Sequence, residues 1–340
     1  MRTPPSDRAI DVVAMGRSCI DLYAHQIGVP MSGVRSFDAY VGGCPTNVSV
    51  GVRRLGLRPM LLTGVGDDQV AEFVLHFLRT EGVDISAVVR KPGRRTSAVI
   101  LTIQPPDRFP LTYYRDNCAD IALTVEDVSR TPIGDARVLF VTGTGLSREP
   151  SHTATLYAQE RARAAGVAVV LDLDYRDDQW PDVRTFGAAV RSAAGRASLV
   201  VGTEDEVRAA AGGGCGLDEA VAAVLGTGAP VLVLKRGERG ATIHRPEAPP
   251  VDVAPFRVTV LNVLGAGDAF ASGLLYAWLQ GWPLERAVRF GNATGAIVVT
   301  RHSCANDMPT RQEVEAFVDE QGGWGFGTEQ AATGAGARRP

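Results

Sequence analysis

Gly265-Ala266-Gly267-Asp268 sets a carboxylate at the mouth of an apolar, Ala- and Leu-rich stretch, Ala269 to Leu279. The spacing predicts a glycine-rich turn feeding the first turn of a helix. The first backbone N–H groups of a helix have no intrahelical partners and lie at the positive end of its dipole. Small residues let an anion come close to them. A carboxylate there repels phosphate, so it makes sense only where a site needs a base beside an anion hole. Phosphoryl transfer has that need. The amides of Ala266, Gly267 and Asp268 would hold the charge of the moving group, and Asp268 would take the proton of the attacking hydroxyl. Taken alone, the four residues are equally a turn with a helix cap.

A second small-residue motif stands far upstream, Gly42-Gly43-Cys44-Pro45-Thr46-Asn47. Gly42 and Gly43 permit close backbone approach, and Pro45 suits the first turn of a helix. Asn47 falls in that turn, with an amide that both donates and accepts. The pair of motifs resembles the signature of the ribokinase-like sugar kinases, or PfkB family: G-G-x-x-x-N near the N-terminus and D-T-x-G-A-G-D near the C-terminus. Here Asn262-Val263 stands where the family has D-T. The resemblance covers about residues 10 to 310. It implies a ribokinase-like three-layer α/β/α fold with a mostly parallel central sheet and a small β lid. It also implies ATP and Mg2+, with room for a monovalent cation (K+), and a catalytic group of Asp268 with Gly265, Ala266 and Gly267.

Composition fits this class and excludes others. At 340 residues with 45% hydrophobic content, the chain can bury a substantial core. Net charge is −3 with no basic block, and aromatics are 6%, which argues against nucleic acid as a partner. Five widely spaced cysteines without a C-x-x-C pair suggest neither a zinc site nor a disulfide framework, and reduced thiols in the cytoplasm are expected. No apolar run is long enough to span a membrane. There is no G-x-x-x-x-G-K-S/T, and Gly16-Arg17-Ser18-Cys19 does not supply the G-x-G-x-x-G that a dinucleotide-binding dehydrogenase needs after its first strand.

The positioning elements alternate strand and helix. Short apolar runs at Ile10 to Met15, Pro59 to Gly64, Arg137 to Thr142, Val167 to Leu171, Leu199 to Gly202 and Val231 to Leu234 predict buried strands. Amphipathic stretches between them predict helices, and the order implies a parallel sheet covered on both faces. Tyr23 to Val41 and Thr96 to Leu123 break the alternation. They are expected to pair as the lid, giving a kinase domain over 9–320 with lid segments at about 22–41 and 96–123. The Pro-rich Pro246 to Pro255 predicts a surface connection. The Gly/Ala-rich tail, 321–340, predicts disorder.

Further candidates sit at the C-terminal ends of the strands, where α/β sheets bind ligands. Asp21 follows the first strand; an exposed loop acid is the simple reading, and the family resemblance implies a grip on sugar hydroxyls with Gly42, Gly43 and Asn47. Glu206 opens a helix after Thr203, where capping is ordinary chemistry; the resemblance implies a role in organising magnesium, although Thr203 replaces the family's asparagine. Lys235-Arg236-Gly237-Glu238-Arg239-Gly240 matches a G-x-x-G loop that the family places by the nucleotide, implying cofactor contacts for Lys235, Gly237 and Gly240. Asn292 matches a region bordering the adenine. Asp172 and Arg176 are expected to be partly structural.

Tyr113-Tyr114-Arg115-Asp116-Asn117-Cys118-Ala119-Asp120 adds an arginine behind two aromatics. A guanidinium can hold a carboxylate bidentately, so Arg115 is a candidate for an acid group on the sugar; a surface arginine paired with Asp116 is the alternative. With Asp172-Leu173-Asp174-Tyr175-Arg176 and Val299 to Ala305, this string narrows the resemblance to the branch of the family serving inositol catabolism. The substrate so implied is 5-dehydro-2-deoxy-D-gluconate, phosphorylated on its primary hydroxyl, with a homodimer through the lid. A 2-keto-3-deoxygluconate kinase or a fructokinase shares every catalytic feature, and a sugar-binding regulator shares all but the need for a base.

Overall fold

The computed structural model describes residues 4–104 and 108–325; the expected tail lies largely outside them, from 326 on. In chain order the elements begin with β1 (Ile10–Met15), β2 (Cys19–Ala24), β3 (Phe37–Gly42), α1 (Cys44–Arg54), β4 (Pro59–Leu62), β5 (Gly64–Val65) and α2 (Gln69–Glu81). Next come β6 (Val89–Arg90), β7 (Ser97–Leu101), β8 (Leu111–Tyr114), α3 (Val125–Arg130), β9 (Ala136–Thr142), α4 (Ser151–Ala164), β10 (Ala168–Asp172) and α5 (Val183–Ala194). The chain continues through β11 (Leu199–Thr203), α6 (Glu204–Ala210), α7 (Leu217–Leu225), β12 (Leu232–Lys235), β13 (Ala241–Arg245) and β14 (Ala248–Val253), then α8 (Ala266–Leu279), α9 (Leu284–Val298) and α10 (Arg311–Glu320).

Eight strands form the central sheet in the order β14-β13-β12-β11-β10-β9-β1-β4. The six from β12 to β4 run parallel, and β13 and β14 close one edge antiparallel. Alternate residues of each parallel strand point to opposite faces. Val12, Ala14, Val138 and Phe140 pack under α1, α2, α8, α9 and α10. Val13, Met15, Leu139 and Val141 pack under α3 to α7. The result is the expected three-layer α/β/α architecture. One reading is corrected: Pro246 to Pro255 is not merely a connection, because Ala248–Val253 is the outermost strand. Proline is tolerated there because an edge strand has N–H groups with no ladder partner.

A second, four-stranded sheet, β3-β2-β7-β8, leaves the main body beside the C-terminal ends of the parallel strands. Its inner face carries Cys19, Tyr23, Val99 and Leu101, which pack with Leu264 from the turn before α8 and with Cys304 after α9. The smaller β5-β6 pair stands apart from both sheets.

Two helices carry the signature residues, and their approach is close. A Cβ built on Gly51 of α1 would lie 2.3 Å from Ser272 Oγ and 2.7 Å from Ser272 Cβ on α8. Only hydrogen fits at that crossing. Gly51→Ala is therefore expected to destabilise the protein by about 1–3 kcal/mol, the usual cost of overpacking. The added variant Ser272→Gly should restore most of the loss. Urea unfolding of the single and double variants checks this, and an equal loss in both would show that the crossing is not the cause.

Candidate active site

Gly265 is the N-cap of helix α8, and its φ of 81° is left-handed and natural for glycine. Among the described residues the N–H groups of Gly267 and Asp268 meet no acceptor, while that of Ala266 reaches Val263 O at 3.3 Å. Two unpaired donors therefore point out of the helix start, rather than the three expected. Asp268 sits beside them. Asn47 Nδ2, from the first turn of α1, donates to Asp268 Oδ2 at 2.6 Å. An amide nitrogen facing a carboxylate must be the donor, which fixes the orientation of the Asn47 side chain. Its Oδ1 is then a buried acceptor with no partner among the described residues.

Burial pushes the Asp268 carboxyl above the ordinary aspartate range, although hydrogen bonds from Asn47 and Cys44 oppose the shift. Asp174 nearby raises it further, and Arg176 lowers it. A carboxylate made more basic in this way, next to free helix-terminal donors, can accept a proton while neighbouring charge is stabilised.

Around Asp268 runs a cleft lined by Asp21, Gly43, Asn47, Arg17, Tyr113 and Arg176, among others. Asp21 is 8% exposed and accepts from Cys19 Sγ at 3.1 Å. Burial raises its pKa, against the pull of Arg17. Gly42 lies behind it: a Cβ there would fall 2.0 Å from Asp21 Oδ2. Gly43 holds a φ of 101°, and its missing Cβ would lie 2.4 Å from Arg17 O. The Gly42-Gly43 pair thus lets α1 start against the loop after β1. The enclosed space is about 50 Å³, well under the ~300–1,000 Å³ of a ligand-filled site. The second sheet and its Tyr113 press down on the floor.

A charged row continues along the strand ends. Lys235 Nζ stands 3.2 Å from Asp172 Oδ2 and 3.9 Å from Glu206 Oε2. It also lies 3.1 Å from where a Cβ on Gly267 would be, so the ammonium faces the start of α8. Burial lifts the Asp172 carboxyl while Lys235 opposes the shift. Glu206 closes a capping box: Thr203 N–H donates to its Oε2 at 2.7 Å, and its own N–H donates to Thr203 Oγ1 at 3.3 Å. Among the described residues its Oε1 has no hydrogen-bond partner. Among the described residues no cluster of three acidic, His or Cys side chains is placed to hold a metal by itself. One free carboxylate oxygen still suits Mg2+, which keeps most of its waters and binds mainly through phosphate.

The structure brings Asp268, Gly265, Asp21, Gly43 and Asn47 to one cleft, with Ala266, Gly267, Lys235 and Glu206 at its edge. Gly237 and Gly240 form the tight turn after β12, where a Cβ on Gly240 would strike Val253 O at 2.2 Å. Asn292 lies in the middle of α9 and donates Nδ2 to Ala254 O at 2.8 Å, which ties the helix to the chain leaving β14.

Arg115 does not reach the cleft. It is buried, with Nε and Nη2 donating to Asp120 Oδ2 at 2.8 and 2.6 Å, Nη2 also to Thr144 O at 3.0 Å, and Nη1 to Ser147 Oγ and Gln179 Oε1. With its donors taken by the protein, it holds the loop after β8 in place. Its partner is Asp120, not Asp116. The arginines that do line the cleft are Arg17 and Arg176. Arg176 pairs with Asp174 at 3.0 Å, and Asp174 accepts from Thr144 Oγ1 at 2.8 Å at a left-handed φ of 36°. Arg17 was not legible as a site residue; its one sequence signal is its place immediately after Gly16, where β1 has ended.

Residues 9–311 match the family described as pfkB family carbohydrate kinase. Among curated relatives, the 5-dehydro-2-deoxygluconokinase of Shouchella clausii (strain KSM-K16) is 36% identical over 316 residues, covering 92% of this chain and 97% of its own. A solved PfkB protein from Polaromonas sp. JS666 is 29% identical, with a TM-score of 0.79 over 91% of this chain and 100% of its own. A fructokinase double mutant from Vibrio cholerae O395, solved with fructose, ADP and potassium ion bound, is 27% identical, with a TM-score of 0.81 over 92% of this chain and 99% of its own.

The Asn47–Asp268 contact makes a sign prediction. Removing a donor from a carboxylate favours its protonated form, so Asn47→Ala should move the Asp268 titration to still higher pH. Carboxyl-carbon NMR against Asp268→Asn as the assignment control reads this out. An unchanged midpoint would mean that the bond does not bear on the carboxylate.

Proposed function

The chain belongs to the pfkB family of carbohydrate kinases, and from that membership we propose that it transfers the ATP γ-phosphoryl group to the primary hydroxyl of 5-dehydro-2-deoxy-D-gluconate. The product would be the 6-phosphate, in myo-inositol catabolism, with the enzyme acting in the cytoplasm. The observation that carries the reading is Asp268: a half-buried, upshifted carboxylate beside two unpaired α8 amides. A sugar-binding regulator has no use for that pairing. The substrate follows the name of the Shouchella clausii relative, and the Arg17 and Arg176 guanidiniums among the cleft's lining suit an acid better than a neutral sugar.

In this reading Asp268 takes the proton of the attacking hydroxyl, a contribution on the order of 10²–10⁴ in rate. Asn47 holds the carboxylate with Nδ2 and turns its unpartnered Oδ1 to a sugar hydroxyl. Asp21 and the Gly42-Gly43 backbone take other hydroxyls. The amides of Gly267 and Asp268, with Lys235, meet the charge of the moving group. When bound, Mg2+ neutralises phosphate charge, and Glu206 Oε1 is the oxygen left to hold it through water. Gly237 and Gly240 shape the loop against which the nucleotide lies, and Asn292 braces its far wall. The second sheet acts as a lid that lifts to admit the sugar and closes to exclude water. Ile27, Met31, Phe37 and Tyr114, large apolar side chains left exposed on the lid segments, support pairing of lids in a homodimer. No helix among the described residues is long and apolar enough to cross a membrane, and all five cysteines are free, which suits a reducing compartment.

An ADP-release assay with MgATP tests the reading over 5-dehydro-2-deoxygluconate, 2-keto-3-deoxygluconate, fructose and ribose, in potassium and in choline salts. The expected result is kcat/KM at least about tenfold higher for the first compound than for any other. Equal or greater turnover of fructose would replace the substrate while leaving the kinase.

A further inference from the structure

Arg17 is a buried cation with no carboxylate in direct contact: Asp21 and Asp174 act on it only through space. It is 6% exposed. Among the described residues no carboxylate oxygen lies within 4.0 Å of its guanidinium, whereas Arg115, Arg137 and Arg176 have one each, at 2.6, 3.3 and 3.0 Å. Only Nη1 of Arg17 has an acceptor, Cys19 Sγ at 2.9 Å, and a thiol is a weak one. Its Nε is buried without a partner. A buried, unpaired charge is among the costly features a fold can carry. Such a group is retained where something else brings the counter-charge.

The surroundings keep it available. Cys19 stands between Arg17 and Asp21: it receives from Arg17 and donates its own S–H to Asp21 Oδ1 at 3.1 Å. The thiol so placed keeps the neighbouring carboxylate from closing onto the guanidinium. Thr46 Oγ1 donates to Arg17 O at 3.2 Å, tying the residue's backbone to α1, the helix that also carries Asn47. From the lid, the Tyr113 ring covers the guanidinium at 5.3 Å from its centroid. Arg17 and Asp268 line the same cleft.

We propose that Arg17 is the specificity-determining residue of this site, binding the C1 carboxylate of a sugar acid while the opposite end of the chain presents its primary hydroxyl to Asp268. The inference rests on the sugar-acid reading above and goes beyond it by assigning the acid group to a residue, in place of Arg115. A neutral sugar would leave the guanidinium buried and unpaired, so discrimination comes from that penalty as well as from the contact. Arg176 does not fill the role, since Asp174 already supplies its counter-charge.

The test is steady-state kinetics of the full chain with MgATP, comparing wild type, Arg17→Met and Arg17→Lys on 5-dehydro-2-deoxygluconate and on fructose. Arg17→Met should lower kcat/KM for the acid by about 100-fold, the scale of a lost buried charge-assisted contact, chiefly through KM. The ratio of acid to fructose turnover should collapse by a similar factor. Arg17→Lys, which keeps the charge without the fork, should fall between. Thermal unfolding without substrate should change little in Arg17→Met, because no direct ion pair of the free protein is lost. If wild type prefers the acid and Arg17→Met keeps both kcat/KM and the ratio within about threefold, this inference fails while the function stands. If wild type prefers fructose, the function reading fails and takes the inference with it. If Arg17→Met does not fold, Arg17→Lys decides: an undiminished ratio overturns the proposal, and a reduced ratio with raised KM supports it.

Discussion

The hydrogen bond from Asn47 to Asp268 joins side chains 221 positions apart in the chain, and most of the site depends on it. It exists only because α1 and α8 cross with nothing larger than hydrogen between Gly51 and Ser272. The crossing rests on the face of the central sheet that both helices cover. The same packing sinks Asp268 far enough to raise its pKa while leaving the first amides of α8 unpaired. A carboxylate at a helix start would ordinarily be stabilised as the anion. Here desolvation wins, and Asn47 limits the shift rather than reversing it.

Charge around the cleft is arranged in local pairs with gaps. Lys235 balances Asp172 and approaches Glu206, and Arg176 balances Asp174. Each pair stands at the end of a parallel strand, the edge where open α/β sheets bind ligands. The unpaired groups are the informative ones: the Gly267 and Asp268 amides, Asn47 Oδ1, Glu206 Oε1 and the Arg17 guanidinium. Buried polar groups are nearly always satisfied, so Asn47 Oδ1 and Arg17 Nε, buried without partners among the described residues, together with the half-buried α8 amides, outline what a ligand must supply: a donor near Asn47 and negative charge near α8 and Arg17.

Much of this was legible in the sequence, for a physical reason. Asp268, Gly265, Gly43 and Asn47 owe their roles to local backbone form, a turn and a helix start, and local form is written in adjacent residues. The alternation of apolar runs with amphipathic stretches likewise gave the layered sheet. What failed depended on partners remote in sequence or hidden in context. Arg115 was a candidate for the sugar's acid group because Thr144, Ser147 and Gln179, which with nearby Asp120 take its donors, become neighbours only when the loop after β8 folds against the turns following β9 and β10. Arg17 looked ordinary because the lack of a direct carboxylate contact is a property of packing, not of sequence. Pro246 to Pro255 looked like a connection because proline weakens a strand, and an edge position removes that objection. Asn292, matched to a region bordering the adenine, lies midway along α9 with its amide spent on Ala254 O.

The central claim is that Asp268 acts as the base, not as a structural cap. The direct measurement is single-turnover phosphoryl transfer by Asp268→Asn, with ATP and 5-dehydro-2-deoxygluconate affinities measured by calorimetry on the same preparation. The account predicts a rate lower by about 10²–10⁴, with both affinities within a few-fold of wild type, since asparagine keeps the shape and the helix start. Transfer within tenfold of wild type at unchanged affinity would contradict it and assign the proton to another acceptor.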